Sequence, residues 1–360
     1  MRLAASFLLF FSVVGCSDLK EASNDAPSSP AGGEGKTADE GTPGAPAASD
    51  GSGPKVTVDA IVEGRGKLGA RSSEGYRPWR TGIAVHDGHV FWVEGGSSPG
   101  LYSATFDGTD VAKVATLARA SAFAATADYM VIADTNVVKR FPFDGGAPSV
   151  VASGKGDVVN LASDGSAVFW TSGTDSAVNR TAGGTTSTPI YSNGTPVGMA
   201  VAGDRAFWAG VDISGQVGAL QSMKTSGASA REVSRFSGGG FHTMAGNATY
   251  LYYAEDAPAN VHRLTVATGR DEIVDRDAQG VTDFAFDDEY AYWTEPGDLS
   301  VSSGRVRRVS HDGKTAQTLA ESVAHPVALA VSGKTVFVAA AGTSEKSYAD
   351  GAILRLTIGQ

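Results

Sequence analysis

One cysteine in 360 residues leaves no possibility of a disulfide within the chain. Basic residues are also in deficit, with 29 Lys and Arg against 39 Asp and Glu and a formal net charge of -10. Polyphosphate binding needs Lys and Arg gathered on one face, so this balance argues against nucleic acid as a partner. Beyond the first 15 residues there is no long apolar run and no extended amphipathic-helix pattern. The sequence contains no His-Glu-x-x-His pair, no Asp-x-Asp-x-Asp-Gly calcium loop and no Gly-x-Ser-x-Gly elbow. It therefore predicts no metal, no cofactor and no catalytic residues. Gly64-Arg65-Gly66-Lys67-Leu68-Gly69 matches a dinucleotide fingerprint, but the segment after it, Arg71 to Pro78, is no helix, so the anion-binding helix end is missing.

What the chain does have is 46 glycines and a repeat. The pairs Phe91-Trp92, Val131-Ile132, Phe169-Trp170, Phe207-Trp208, Tyr252-Tyr253, Tyr292-Trp293 and Phe337-Val338 recur at spacings of 38 to 45 residues. That period belongs to propeller blades, and seven copies mean seven blades. Before each pair stands an apolar alternating strand and a tight turn, such as Asp87-Gly88, made of residues that tolerate positive φ. After it comes a third strand with a basic or polar residue (Arg140, Arg180, Arg263 and Arg308), then a second Gly turn and a fourth strand. The seventh copy lacks its fourth strand. Val56 to Val62, an alternating segment left over at the start, can supply it, so the expected fold is an all-β, seven-bladed propeller of four-stranded blades closed by its N-terminal strand.

The N-terminal region reads differently. Arg2, an apolar stretch from Leu3 to Val14, and a small residue before the cut site make a secretory signal, too short to span a bilayer. Val13-Val14-Gly15-Cys16 resembles the bacterial lipobox. That resemblance implies a signal peptide over 1–15, diacylation of the Cys16 thiol, acylation of the new amino terminus and stable membrane attachment. With Ser17 next, it implies a cell-envelope protein sorted to the outer membrane. Residues 16–54 hold the lipidated cysteine and a tether rich in Ser, Ala, Gly, Pro and acids, which cannot bury a core, and 55–360 form the propeller domain.

The aromatic-Trp-Thr-acid pattern, clearest at Tyr292-Trp293-Thr294-Glu295, resembles the YWTD repeats of low-density-lipoprotein-receptor propellers over residues 80 to 359. The motif is degenerate, and that family has six blades. The resemblance implies the blade plan and names no ligand.

The tryptophans are expected in the core between blades. Glu94, Asp134, Glu255 and Glu295 follow their anchors at equivalent places. They suit either a ring of oxygen ligands at the channel mouth or, the favoured reading, acceptors for their own blades' loops. Long loops after the second strand in repeats 4, 6 and 7 set repeats 6, 7 and 1 apart. Asp298, Arg305, Lys346, Tyr348, Asp350 and the Glu94 to Gly100 loop form one candidate binding arc. Segments entering the innermost strands, with Trp79-Arg80, His242, Asp283 and His325, face the same mouth. The expected function is a lipid-anchored scaffold that binds a protein, peptide or glycan. The alternative is a hydrolase or lyase with a channel-mouth site, with or without a metal, built from His242, Asp283 and His325.

Overall fold

The computed structural model describes residues 54–65, 68, 82–95, 97–153, 158–172, 177–182, 188–191, 195–211, 217–227, 230–237, 241–256 and 258–359. It gives backbone only at 182, 188–191, 195–197, 211, 217, 236–237, 241–242 and 256. The expected signal peptide, Cys16 and almost all of the expected tether lie outside the described residues.

Among the described residues, 28 strands form seven four-stranded antiparallel sheets. Blades 1 to 6 run in chain order over 83–116, 120–153, 158–191, 195–237, 241–275 and 283–323, with the first strand of each innermost. Blade 7 takes three strands from 326–358, and its fourth is the N-terminal strand Val56–Glu63, in register from Val56 opposite Ile358 to Glu63 opposite Ala352. The ring is thus closed between the two ends of the domain, which removes the open edge of blade 7.

Alternation of side chains across each sheet explains the anchor pairs. The first residue of a pair faces the following blade and the second faces the preceding one. Trp92 packs with Phe337 and Val327 of blade 7, whereas Phe91 packs with Met130 and Ile132 of blade 2. The same division joins Val131 to Trp170, Phe169 to Trp208, Phe207 to Tyr253, Tyr252 to Trp293 and Tyr292 to Val338. Seven apolar clusters therefore fill seven seams. Trp92, Trp170, Trp208 and Trp293 are all fully buried.

Opposite the forward-facing anchors, the innermost strands carry Ala84, Ala124, Ala162, Ala200, Ala245, Ala285 and Ala330. Blades converge toward the axis, so each seam has room for a methyl group on the inner strand and for a large apolar side chain on the second. At the seam between blades 4 and 5 even a methyl is too much in one place. A Cβ on Gly246 would lie 2.4 Å from the Ala202 Cβ of blade 4.

The first turns come in two kinds. Blades 1, 4 and 7 use two-residue turns at Asp87-Gly88, Gly203-Asp204 and Gly333-Lys334. Blades 2, 3, 5 and 6 use longer turns in which Thr126, Asp164, Asn247 and Asp287 accept hydrogen bonds from amides two or three residues on.

Candidate functional site

Because strands alternate in direction, the loops between second and third strands leave the ring at the same end as the connections between blades. Among the described residues, blades 6, 7 and 1 build this mouth most elaborately. In blade 6, Glu295 is 2% exposed and accepts from Trp293 Nε1 (2.8 Å), Arg305 Nε (2.8 Å) and Arg307 Nη1 (3.3 Å). Arg305 also reaches the Asp277 carbonyl at 3.1 Å, while Arg307 lies over the Trp293 ring and pairs with Asp275 at 2.7 Å. Burial works against the charged Arg305 guanidinium, yet the Glu295 and Asp277 carboxylates outweigh it and raise its pKa.

The related acids are held in the same manner. Glu94 accepts from Trp92 Nε1 at 2.7 Å and lies 3.4 Å from Arg65, whose guanidinium sits over the rings of Trp92 and Tyr102. Burial pushes the Glu94 pKa upward despite those partners. Asp134 accepts from the amides of Ala118 and Arg119, both at 2.8 Å, with Lys139 at 3.4 Å. Glu255 and Asp271 flank the His262 ring at 3.3 and 3.4 Å, and Tyr253 stacks on it. Burial alone would depress His262, but bonds to these two carboxylates carry its pKa up to about 9. Each acid is thus satisfied by its own blade or by a neighbouring connection.

Of the arc named from the sequence, Asp298, Lys346 and Asp350 stand on the two long loops. Asp298 accepts from the amide and hydroxyl of Ser300 at 2.7 and 2.6 Å, which holds its carboxyl below the usual range. Burial tends to raise Asp350, but the amide and hydroxyl of Thr343, with Lys346 3.7 Å away, bring it below the usual range. Tyr348 has φ of +64° and donates its amide to the Thr343 carbonyl, closing a compact turn. The Ser344 amide donates to the Leu299 carbonyl at 2.7 Å, so the loops of blades 6 and 7 are tied together. The Arg65 amide donates to the Gly351 carbonyl, and with its side chain beside Glu94 this continues the face onto blade 1. Exposed Val301, Lys346 and Asp298 line the rim.

The other group is described only in part. Trp79, Arg80 and the side chain of His242 lie outside the described residues. His325 is fully buried, with φ of +55°. Burial lowers its pKa against a hydrogen bond to the Pro296 carbonyl. Asp283, on the innermost strand of blade 6, has its carboxyl pushed up to about 7 by enclosure, with the amides of Leu329 and Phe284 opposing. Among the described residues no three His, Cys, Asp or Glu side chains converge as a metal-holding group. No described helix is long and apolar enough to cross a membrane.

Arg65, Asp275 and Asp277 escaped the sequence reading because they lie on connections or on a different blade from Glu94 and Glu295, and Arg307 escaped it although it shares a blade with Glu295. Arg307 left one trace: it sits directly across from Trp293, as Lys139 does from Ile132 and His262 from Tyr253.

No protein-family model matches the chain, and comparison with curated proteins finds no match. Solved structures do match it. A virginiamycin B lyase from Staphylococcus aureus aligns with a TM-score of 0.63 at 14% identity, over 84% of this chain and 100% of the lyase. A streptogramin B lyase aligns with a TM-score of 0.62 at 12% identity, over 84% and 98%. A nidogen/laminin complex aligns at 18% identity over 59% and 85%, with a TM-score of 0.47, too loose to bear on partners. These identities establish a likeness of fold: the chain is a seven-bladed β-propeller.

Proposed function

We propose that this chain is a lipid-anchored protein of the bacterial cell envelope whose propeller binds a protein or peptide through the mouth loops of blades 6, 7 and 1. The observation that carries the reading is the bond from Ser344 to Leu299, which joins two long loops into one braced surface. A surface held in place before binding loses little conformational freedom on association. Its rim mixes Asp298, Lys346 and an exposed valine, Val301, as protein-binding surfaces do. Among the described residues the four repeated tryptophans are sealed in the seams and offer no stacking face to a glycan. Anchoring rests on Cys16 and the sequence before it.

Two experiments test this. A photo-crosslinking residue at position 301 or 346, in cells, should trap one defined partner, while the same residue at the exposed outer position 114 should not; equal trapping at all three sites would sink the proposed face. Labelling with an alkynyl fatty acid should mark the wild type and leave Cys16→Ser unlabelled and released from the membrane.

A second reading rests on Asp283, on the innermost strand, whose carboxyl enclosure pushes up to about 7, a range that suits a general acid or base. In this reading the chain is a lyase resembling its structural neighbours. Incubation with virginiamycin B and chromatographic separation should then give a new product that Asp283→Asn fails to form. Virginiamycin B recovered unchanged counts against it.

A further inference from the structure

Three blade seams carry the same latch on the face opposite the mouth. Arg180 of blade 3 donates Nε to the Thr225 carbonyl of blade 4 at 2.7 Å. Arg263 of blade 5 donates to the His311 carbonyl of blade 6, and Arg355 of blade 7 donates to the Phe106 carbonyl of blade 1 at 3.2 Å. The three acceptors occupy one place, at the turn after the third strand.

The seam between blades 4 and 5 departs from this plan. Pairing puts Ser222 opposite Phe207, where Arg180, Arg263 and Arg355 stand opposite Phe169, Tyr252 and Phe337. The guanidinium comes instead from Arg205 on the second strand, which is 8% exposed and donates Nε and Nη2 to Ser222 Oγ at 3.1 and 2.9 Å. Val266, the residue equivalent to the latch acceptors, then borders a cavity of about 540 Å³ with Gly203, Asp204, Arg205, Arg231 and Thr249. The inner end of this seam is closed by the Gly203 amide, bonded to the Asn247 carbonyl at 2.9 Å, and by the close approach at Gly246, so the opening is confined to the outer part.

We propose that this cavity binds a small molecule bearing an oxyanion, a carboxylate or phosphate, gripped between the guanidiniums of Arg205 and Arg231. Two cations border it against one acid, Asp204, in a chain whose net charge is -10. Burial and the nearby Arg231 charge disfavour the charged form of Arg205 with the Asp204 carboxylate opposing them, and an anion between the two arginines adds to that relief. The guanidinium fork matches the geometry of carboxylate and phosphate oxygens. The space exceeds that of the ion alone and suits a small polar body, whose hydroxyls Asp204 can accept. The site lies at the other end of the ring from the mouth loops and is independent of them.

Calorimetric titration of the full chain in low-chloride buffer, with inorganic phosphate and separately with glucuronate, tests the proposal. At least one probe should saturate at one site, and Arg231→Gln should weaken it by about tenfold or more, the value of a charge-assisted bond. Arg231→Glu should abolish binding. Arg231 is exposed, so both variants should keep the wild-type melting temperature without ligand. Saturation by phosphate alone, by glucuronate alone or by both supports the site and names its anion. No saturable binding by either, or binding unchanged in both variants, overturns it.

Discussion

Asp283 of blade 6 holds blade 7 by its backbone: its Oδ2 accepts from the Leu329 amide at 3.0 Å, while Oδ1 accepts from its own neighbour, Phe284, at 2.9 Å. Enclosure raises this carboxyl to about 7, above its value in the unfolded chain. A raised acid binds its proton more tightly when folded, so stability falls as pH rises from about 4 through 7 and then levels off. Asp283→Asn should remove that slope and stabilise the protein by roughly 2–4 kcal/mol at pH 9, at about 1.4 kcal/mol per unit. Urea unfolding of both proteins at pH 5 and pH 9 measures it; equal gaps at the two values would refute the assignment.

His262 gives a second window. Its folded pKa of about 9 lies above the ordinary histidine value near 6.5, so the Glu255–His262–Asp271 clamp contributes fully below about pH 6.5 and is lost as pH rises through 9. His262→Gln should cost about 2–3 kcal/mol at pH 6 and much less at pH 10, read from unfolding midpoints.

The seam latches should matter for stability. Replacing Arg180 by Leu breaks a charge-assisted bond across blades 3 and 4 and should cost about 1.5–3 kcal/mol. Arg355→Leu, at the distant seam between blades 7 and 1, should add to it nearly independently. Thermal denaturation of the two single variants and the double variant checks both points.

Glu295 is sealed beneath two arginines. Glu295→Leu leaves Arg307 buried beside Trp293 without that carboxylate and should destabilise by about 3–5 kcal/mol. Adding Arg307→Leu should recover part of that loss, which a double-mutant cycle in urea detects.

Closure by Val56–Glu63 is the last test. Removing this strand exposes the edge of Ala352–Ile358, an apolar strand rich in aliphatics, and should shift the protein to dimers or larger aggregates in sedimentation.

The blade plan was legible because each anchor pair reports two packing contacts at once, one forward and one back, and such pairs must recur wherever a seam recurs. The third-strand arginines were legible as a column, yet their purpose was not. A latch joins Arg180 to Thr225 only because two blades 45 residues apart in sequence are set edge to edge. The mouth arc was visible as uneven loop lengths, but the bond from Ser344 to Leu299 and the course of Arg65 over Trp92 follow from ring closure. The cavity at blades 4 and 5 left a sequence trace in hindsight: Arg205 holds the place that tyrosine takes in Tyr129, Tyr250 and Tyr290, and Ser222 the place of an arginine.

The amino-acid sequence by itself determined the number of blades, the strand that closes them and the burial of the four tryptophans, because a repeat of alternating strands can bury its apolar faces only against copies of itself. The tertiary structure decided which charged groups latch one blade to the next and which border a cavity. That depends on the neighbouring blade, whose residues arrive from far along the chain and whose distance fixes whether an arginine meets a carbonyl or a cavity.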